Sequence, residues 1–387
     1  MTSPTVLKPT SDSDLCAIVA DAADGGRKLA LRGGGSKDRV GRSCADAIVV
    51  DMSGLSGVVD YDPAELVLSV RAGTRWVEID ELLVANGQML AFEPWDAAPL
   101  FDTRPGLTTV GGIVGSGLSG SQRLTQGAVR DHLLGFTAVS GRGERFVAGA
   151  KVVKNVTGYD LPKVMAGSWG RLAALTEITL KVLPRPATSL TVVARGLSPR
   201  RAWQAMASLL GSDAEVAAAA HLPAGALGGA SITAVRVQGF APSVEARCEM
   251  IEAVEAGDAR FRRVGEDDAA AIWGALRTMS PLRRDGPLWR VSLPARHAPD
   301  FLDAIKAADG DWLMDWAGGL IWYSGLGAGA DVRAEAQRQG GHAMLFRDTP
   351  NTSSLAVFHP LDPAVAAIEE RLRRAFDPAG VFETGRF

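Results

Sequence analysis

Residues 32–37 read Arg-Gly-Gly-Gly-Ser-Lys, directly after the strand-like Lys-Leu-Ala-Leu of 28–31. Three consecutive residues without a Cβ cost conformational entropy, and they are used where the backbone needs positive φ or something must approach it closely. A phosphate is the commonest such group. Successive amide N–H groups in a turn of this kind form a concave nest for an anion, and Lys37 would add a point charge. On these six residues alone, a surface turn is an equal alternative. A second stretch, 105–120, holds six glycines in sixteen residues. Two such loops suit a pyrophosphate gripped from both sides.

Three familiar motifs are approached and missed. Gly115, Gly117 and Gly120 make a literal G-x-G-x-x-G. That fingerprint must leave a strand and open a helix, whereas the preceding Thr-Thr-Val-Gly-Gly-Ile-Val is broken by glycines and 121–127 is a poor first turn. A P-loop fails because Ser36 precedes Lys37 where glycine is required and Asp38 follows where Ser or Thr is required. Ala-Gly-Ser-Trp-Gly at 166–170 is one residue short of a nucleophile elbow and leads toward a strand, so Ser168 is not read as a nucleophile.

The elements that must carry these loops alternate. An apolar helical pattern runs from Asp12 to Ala23, 48–55 reads as a strand, and 65–73 alternates Leu66, Leu68 and Val70 inward as a half-buried strand. Thr74 stands where an N-cap belongs, 76–86 is an amphipathic helix, and Gly87 is placed to end it. A hairpin is expected over 135–149, turning at Gly141–Gly143, and a further strand over 176–184. Pro-Arg-Pro at 184–186 breaks the pattern and marks a domain boundary. Beyond it, strand–helix pairs recur in an α+β sheet covered by helices on one face, and the chain closes with an amphipathic helix and a Pro/Gly turn.

Bulk properties narrow the function. The 387 residues are 47% hydrophobic, enough for two or three domains with cores of their own. Forty-one basic against 44 acidic residues give a net charge of −3, which provides no field for nucleic acid. There is no charged n-region followed by an apolar core at the N-terminus and no run of about 18 apolar residues, so a cytoplasmic location is expected, with contact to the inner membrane only through partner chains. Cys16, Cys44 and Cys248 include no C-x-x-C, so no zinc or iron–sulfur ligand set is expected.

Together, 32–41, 105–120 and 151–184 resemble the FAD-binding domain of the vanillyl-alcohol oxidase/p-cresol methylhydroxylase (PCMH) superfamily, and within it the E-type FAD-binding subunits of bacterial glycolate oxidase. Leu-Trp-Arg-Val-Ser-Leu-Pro at 288–294, Gly-Gly-His-Ala-Met-Leu-Phe-Arg at 340–347 and the last twelve residues extend the resemblance to the end of the chain. It implies an α+β fold: a PCMH-type domain of two α+β subdomains over 1–185, a ferredoxin-like-type cap over 186–365 for substrate or subunit docking, and a helix and turn over 366–387 returning to the first domain. Carried over by position, it implies that Gly33, Gly34, Gly35, Ser36 and Lys37 cradle the FAD pyrophosphate and that Pro105, Thr108, Thr109, Gly111, Gly112, Gly117 and Ser119 line its other side. Gly158 and Tyr159 would approach the flavin, and Leu175 would present backbone to it. Superfamily members that bind FAD covalently through this loop use a histidine where this chain has Ser36, so non-covalent FAD is implied.

Oxidation of a 2-hydroxy acid needs a clamp for the carboxylate, a base for the hydroxyl proton and a hydride acceptor. Arg290 and Arg347 are candidate clamps, and His342 and His359 are candidate bases set against a structural reading of each. The paired-histidine metal motif of the superfamily's hydroxy-acid dehydrogenases is absent. The resemblance therefore implies an FAD subunit acting on a small 2-hydroxy acid beside a catalytic flavin subunit and an iron–sulfur subunit of a glycolate oxidase. A self-sufficient D-2-hydroxy-acid dehydrogenase and a flavin-less scaffold are the rivals. Trp312, Trp316 and Trp322 crowd one segment, which suggests an exposed patch for a partner.

Overall fold

A computed structural model describes residues 5–44, 46–150, 159–256, 259–305, 310–325, 329–350 and 352–387. The chain divides into two compact units. One comprises 1–119, 127–185 and 360–387; the other comprises 120–126 and 186–359. The sequence reading kept 120–126 with the first domain and began the returning segment six residues later.

The first unit contains two main sheets, besides the two-stranded antiparallel pair Gln88–Met89 and Leu183–Pro184. The smaller is parallel, in the order Val6–Leu7, Ile48–Asp51, Leu29–Arg32. Helix Asp12–Asp24 covers it because Leu15, Val19 and Ala22 recur at helical spacing and are buried, and because Ser11 and Asp14 close its N-terminus with a capping box. The larger sheet is antiparallel, in the order Val58–Asp62, Val67–Arg71, Ala173–Lys181, Leu133–Ser140, Arg145–Gly149. Leu68, Ser69 and Val70 are all buried, so the second strand is covered on both faces rather than half-buried. Helix Trp76–Ala85 is not capped by Thr74. Its N-cap is Arg75, and the Thr74 hydroxyl instead bonds Gly57 and Arg71. Gly87 closes it at φ +65°.

The second unit is built on one antiparallel eight-stranded sheet made of two copies of the same topology, with a small two-stranded pair, Glu255–Ala256 and Ala259–Arg260, beside it in the chain. The first copy runs strand Thr188–Arg195, helix Pro199–Leu210, strands Ala218–Leu222 and Ile232–Gly239, helix Ala241–Glu252, strand Arg262–Arg263. The second runs strand Leu288–Ser292, helix Ala298–Ala304, strands Gly310–Asp315 and Leu320–Gly325, helix Gly329–Arg338, strand His342–Arg347. Each copy is a βαββαβ unit with its strands in the spatial order fourth, first, third, second, the ferredoxin-like order. They meet second strand to second strand, on the rung His221–Met314. Val192, Val235, Trp289, Val291, Met314 and Ile321 face the four helices in one core. A fifth helix, Glu266–Thr278, lies on the other face of the first copy, where Trp273 bonds Thr191 and covers Arg236. Helices are thus not confined to one face.

The tryptophan patch is not exposed. Trp312, Trp316 and Trp322 are all buried, on or beside the hairpin Gly310–Asp315/Leu320–Gly325.

Candidate functional site

The parallel strand Leu29–Arg32 delivers residues 33–37 to the end of the small sheet. Glycine is required there for packing as well as for φ. Gly35 has φ +77°. A Cβ on Gly33 would lie 2.2 Å from the Thr109 hydroxyl, and one on Gly34 would lie 1.5 Å from the Leu107 carbonyl oxygen. The two glycine-rich stretches therefore touch backbone to backbone. Ser36 is buried, and its hydroxyl is 2.8 Å from that of Thr108, which in turn lies 2.6 Å from Asp96 Oδ1.

The second stretch is not a loop. Thr109 caps a short helix, Val110–Ser116, accepting a bond from the Gly112 amide, and Gly117 ends it at φ +63°. The literal G-x-G-x-x-G thus begins in the last turn of a helix, and the segment before it is helix, not a glycine-broken strand. Two of its glycines have no packing reason. A Cβ on Gly115 would meet no protein atom within 4 Å, and one on Gly112 would meet only the Thr109 hydroxyl, at 3.3 Å. Both line a cleft.

That cleft lies within the first unit and is open to solvent, with about 870 Å³ of space among its walls, the solvent at its mouth included. It joins Gly33, Gly34, Gly35, Ser36 and Lys37 with Thr109, Gly111, Gly112 and Leu175. Its far wall was not anticipated: Ser168, Trp169 and Gly170 from the turn before strand Ala173–Lys181, and Arg386 and Phe387 at the end of the chain. Trp169 has φ +55°, a conformation costing a side-chain-bearing residue on the order of 1–3 kcal/mol, and its amide donates to the Gly115 carbonyl at 2.7 Å. Its ring packs 5.2 Å from that of Phe387. Arg386 donates to the carbonyls of Lys37 and Val40, fastening the chain end to the first glycine loop. The glycine-flanked Trp169 in Gly-Ser-Trp-Gly was a readable sign of a special backbone; nothing local in the sequence joins Arg386 to residue 37.

Other implied residues do not line the cleft. Pro105 is exposed in a turn, Thr108 links Ser36 to Asp96, and a Cβ on Gly117 would lie 2.9 Å from Gly167 Cα. Ser119 accepts the Val129 amide, and Tyr159 is 91% exposed. Gly158 lies outside the described residues.

Burial pushes the Lys37 ammonium down to about 8, against the opposing pull of Asp96. Among the described residues no carboxylate pairs with it within 4 Å. A half-buried cation beside glycines whose missing Cβ atoms open onto a cleft fits a pyrophosphate. FAD fits these residues.

In the second unit, Arg290 lies on strand Leu288–Ser292, and its guanidinium is 5.3 Å from the Trp316 ring centre. Arg347 is not a clamp, because its guanidinium is engaged by the carbonyls of Gly286 and Arg283. His359 accepts the Ala343 amide at Nδ1, 3.3 Å away. His342 is exposed at a strand end opposite Ser292. Partial desolvation of its ring by surrounding protein, then the charge of Arg290, lowers its pKa although the residue as a whole is exposed. Among the described residues no cluster of His, Cys, Asp or Glu could hold a metal ion, and no helix is long and apolar enough to cross a membrane.

Fold and cleft define a flavoprotein of the PCMH type. Residues 4–149 match the FAD binding domain family. The chain resembles the solved structure of alkyldihydroxyacetonephosphate synthase with a TM-score of 0.68 at 14% identity, over 97% of this chain and 75% of that one. It is 33% identical to glycolate oxidase subunit GlcE of Escherichia coli over 92% of both chains. It is also 28% identical to a D-lactate dehydrogenase of Archaeoglobus fulgidus over 46% of this chain and 39% of that one. The chain belongs to the family of FAD-linked oxidoreductase subunits that includes GlcE, and FAD is its cofactor.

Proposed function

We propose that the chain is the FAD-binding subunit of a glycolate oxidase complex, oxidising glycolate or a closely related D-2-hydroxy acid and passing electrons to partner subunits. The observation that carries this reading is the cleft between residues 33–37 and helix Val110–Ser116, in a chain similar to GlcE along nearly its whole length. Bound FAD supplies the hydride acceptor for the carbon bearing the hydroxyl. Gly112 and Gly115 leave room for the pyrophosphate, Gly33 and Gly34 let the first loop pack against residues 107–109 beside it, Lys37 supplies its counter-charge, and Trp169 with Phe387 shields one wall from water. Ser36 offers no imidazole for a covalent link.

The iron–sulfur relay and the route to a quinone belong to other chains in this reading. A second flavin subunit similar to GlcD would be one of them. GlcD of Bacillus subtilis is 25% identical to this chain over 49% of it and 39% of its own length. Any membrane contact is then peripheral and made through those partners.

The test is the purified chain. Oxidised-flavin absorbance is expected, with all colour released into the supernatant on acid precipitation, and glycolate-dependent dye reduction is expected only after co-expression with the partner subunits. A colourless chain that FAD cannot reconstitute would leave a scaffold. Rapid glycolate turnover by the single chain would establish the self-sufficient dehydrogenase instead.

A further inference from the structure

We propose that Arg386 supplies the second positive charge of the FAD pyrophosphate site, so that residues 383–387 act as a latch on the cofactor. This requires only that the chain binds FAD, and it holds whichever hydroxy acid is oxidised.

The pyrophosphate of FAD carries a negative charge on each phosphate, and Lys37 offsets one of them. Three basic side chains line the cleft: Arg32, Lys37 and Arg386. Arg32 is already paired, with Asp38 at 2.7 Å. Among the described residues no carboxylate lies within 4 Å of Lys37 or Arg386. Burial lowers the Arg386 pKa against the pull of Asp38. A guanidinium stays protonated at neutral pH even so.

The guanidinium is held by one edge and open at the other. Its Nε donates to the Val40 carbonyl at 2.8 Å, and Nη2 donates to the Lys37 carbonyl. Nη1 has no acceptor among the described residues and is not sealed from solvent. The outer edge of the fork is thus left for phosphate oxygens, which a guanidinium takes two at a time. The bonds on the inner edge also occupy carbonyl oxygens of the glycine loop, groups that would repel the same phosphates.

The contact is reciprocal. The Arg386 carbonyl accepts the Arg42 amide at 2.9 Å. Gly41 has φ +82°, and a Cβ there would lie 2.6 Å from that carbonyl oxygen. The glycine that closes the stretch 32–41 therefore makes room for a segment from the far end of the sequence. Other anchors lie on both sides of the cleft. The Thr384 hydroxyl is 3.3 Å from Cys44 Sγ, Glu383 pairs with Arg171 at 3.5 Å, and Phe387 packs against Trp169. A cofactor bound only by the latched form stabilises the latch by the same free energy with which the latch retains the cofactor.

The experiment strips FAD from the full chain, returns it, and reads the dissociation constant and release rate from flavin fluorescence. Arg386→Gln should weaken FAD about 10-fold or more, mainly through faster release. Arg386→Lys, which keeps the charge without the fork, should lose less. Phe387→Ala should speed release, and Arg374→Gln, an exposed arginine of the terminal helix, should change neither value. Competition by ADP, which shares the pyrophosphate and lacks the flavin, separates a phosphate contact from a merely structural one: Arg386→Gln should weaken ADP by the same factor as FAD. Should Arg386→Gln fail to fold, Arg386→Lys with ADP still decides. Unchanged FAD affinity and release in the variants overturns the proposal, and so does weakened FAD with unweakened ADP. The expected FAD losses without any glycolate turnover by the co-expressed complex would keep the latch and remove the activity. Glycolate turnover with FAD retention unmoved in Arg386→Gln would do the reverse.

Discussion

Lys37 in the first unit and Arg290 in the second are sheltered cations with no carboxylate partner among the described residues, and the two are made in different ways. Lys37 belongs to a loop whose neighbours in sequence are also its neighbours in space, so one hexapeptide carries the glycines, the hydroxyl and the charge. Arg290 acquires its setting from three distant segments: a central strand, a hairpin turn that presents Trp316, and residues 120–126 that bring Arg123. A cofactor site read from a loop is thus a local property. The setting of a side chain on a sheet face is a property of register and topology.

The widest separation between the two should come from Gly34→Val. With a Cβ 1.5 Å from the Leu107 carbonyl oxygen, the two glycine stretches cannot pack as they do, and the purified variant should retain no flavin absorbance. Arg290→Gln should retain all of it. Gly115→Val sharpens the division. A Cβ there meets no protein atom within 4 Å outside the helix backbone, so thermal stability should fall little while FAD content falls; full flavin occupancy in that variant would take the helix Val110–Ser116 out of the cofactor site.

What was legible divides along the same line. The hexapeptide, the apolar helical pattern from Asp12 to Ala23 and the hairpin over 135–149 are all local patterns, and they were readable. The strand Ala218–Leu222 was hidden by its alanines, and Gly310–Asp315 by its continuous burial, which erases the alternation that marks a half-exposed strand. Without those two strands the paired ferredoxin-like topology could not be counted, and the tryptophans in and after the second of them looked like a surface patch. The helix Val110–Ser116 was missed because its glycines oppose helix propensity, and tertiary packing overrides that preference.

A smaller effect is expected from Lys37→Met. Loss of a charged, partly buried contact to phosphate costs about 1.5–3 kcal/mol, or roughly 10- to 100-fold in FAD affinity. The pH dependence identifies the cause. The free ammonium titrates at about 8, and a bound pyrophosphate must raise it, so binding takes up a proton. Wild-type affinity should be full below pH 8 and fall as pH rises above it, whereas the Lys37→Met curve should be flat over that range. Parallel curves would assign the contact elsewhere.

The smallest effect tests why a sheltered basic group without an acidic partner implies a ligand at Arg386 and not everywhere. His221 is buried at the rung joining the two halves of the eight-stranded sheet, with Nδ1 2.9 Å from the Thr233 hydroxyl and Nε2 unpartnered. It needs no anion because it can lose its charge, which an arginine cannot. Burial lowers its pKa to about 4 from the usual 6.5. A depressed folded-state value means that the unfolded chain takes up a proton first as pH falls. Its contribution to stability is therefore complete above about 6.5 and shrinks progressively toward 4. Between pH 7 and 5.5 this removes about 1 kcal/mol. Urea unfolding of the FAD-loaded chain should show that loss, and His221→Leu should lose about 1 kcal/mol less over the same interval whatever its stability at pH 7. An equal acid loss in both proteins would mean that His221 reaches a partner or solvent when protonated, and lack of an acidic partner in the folded chain would then be a weaker sign of a ligand at Arg386 as well.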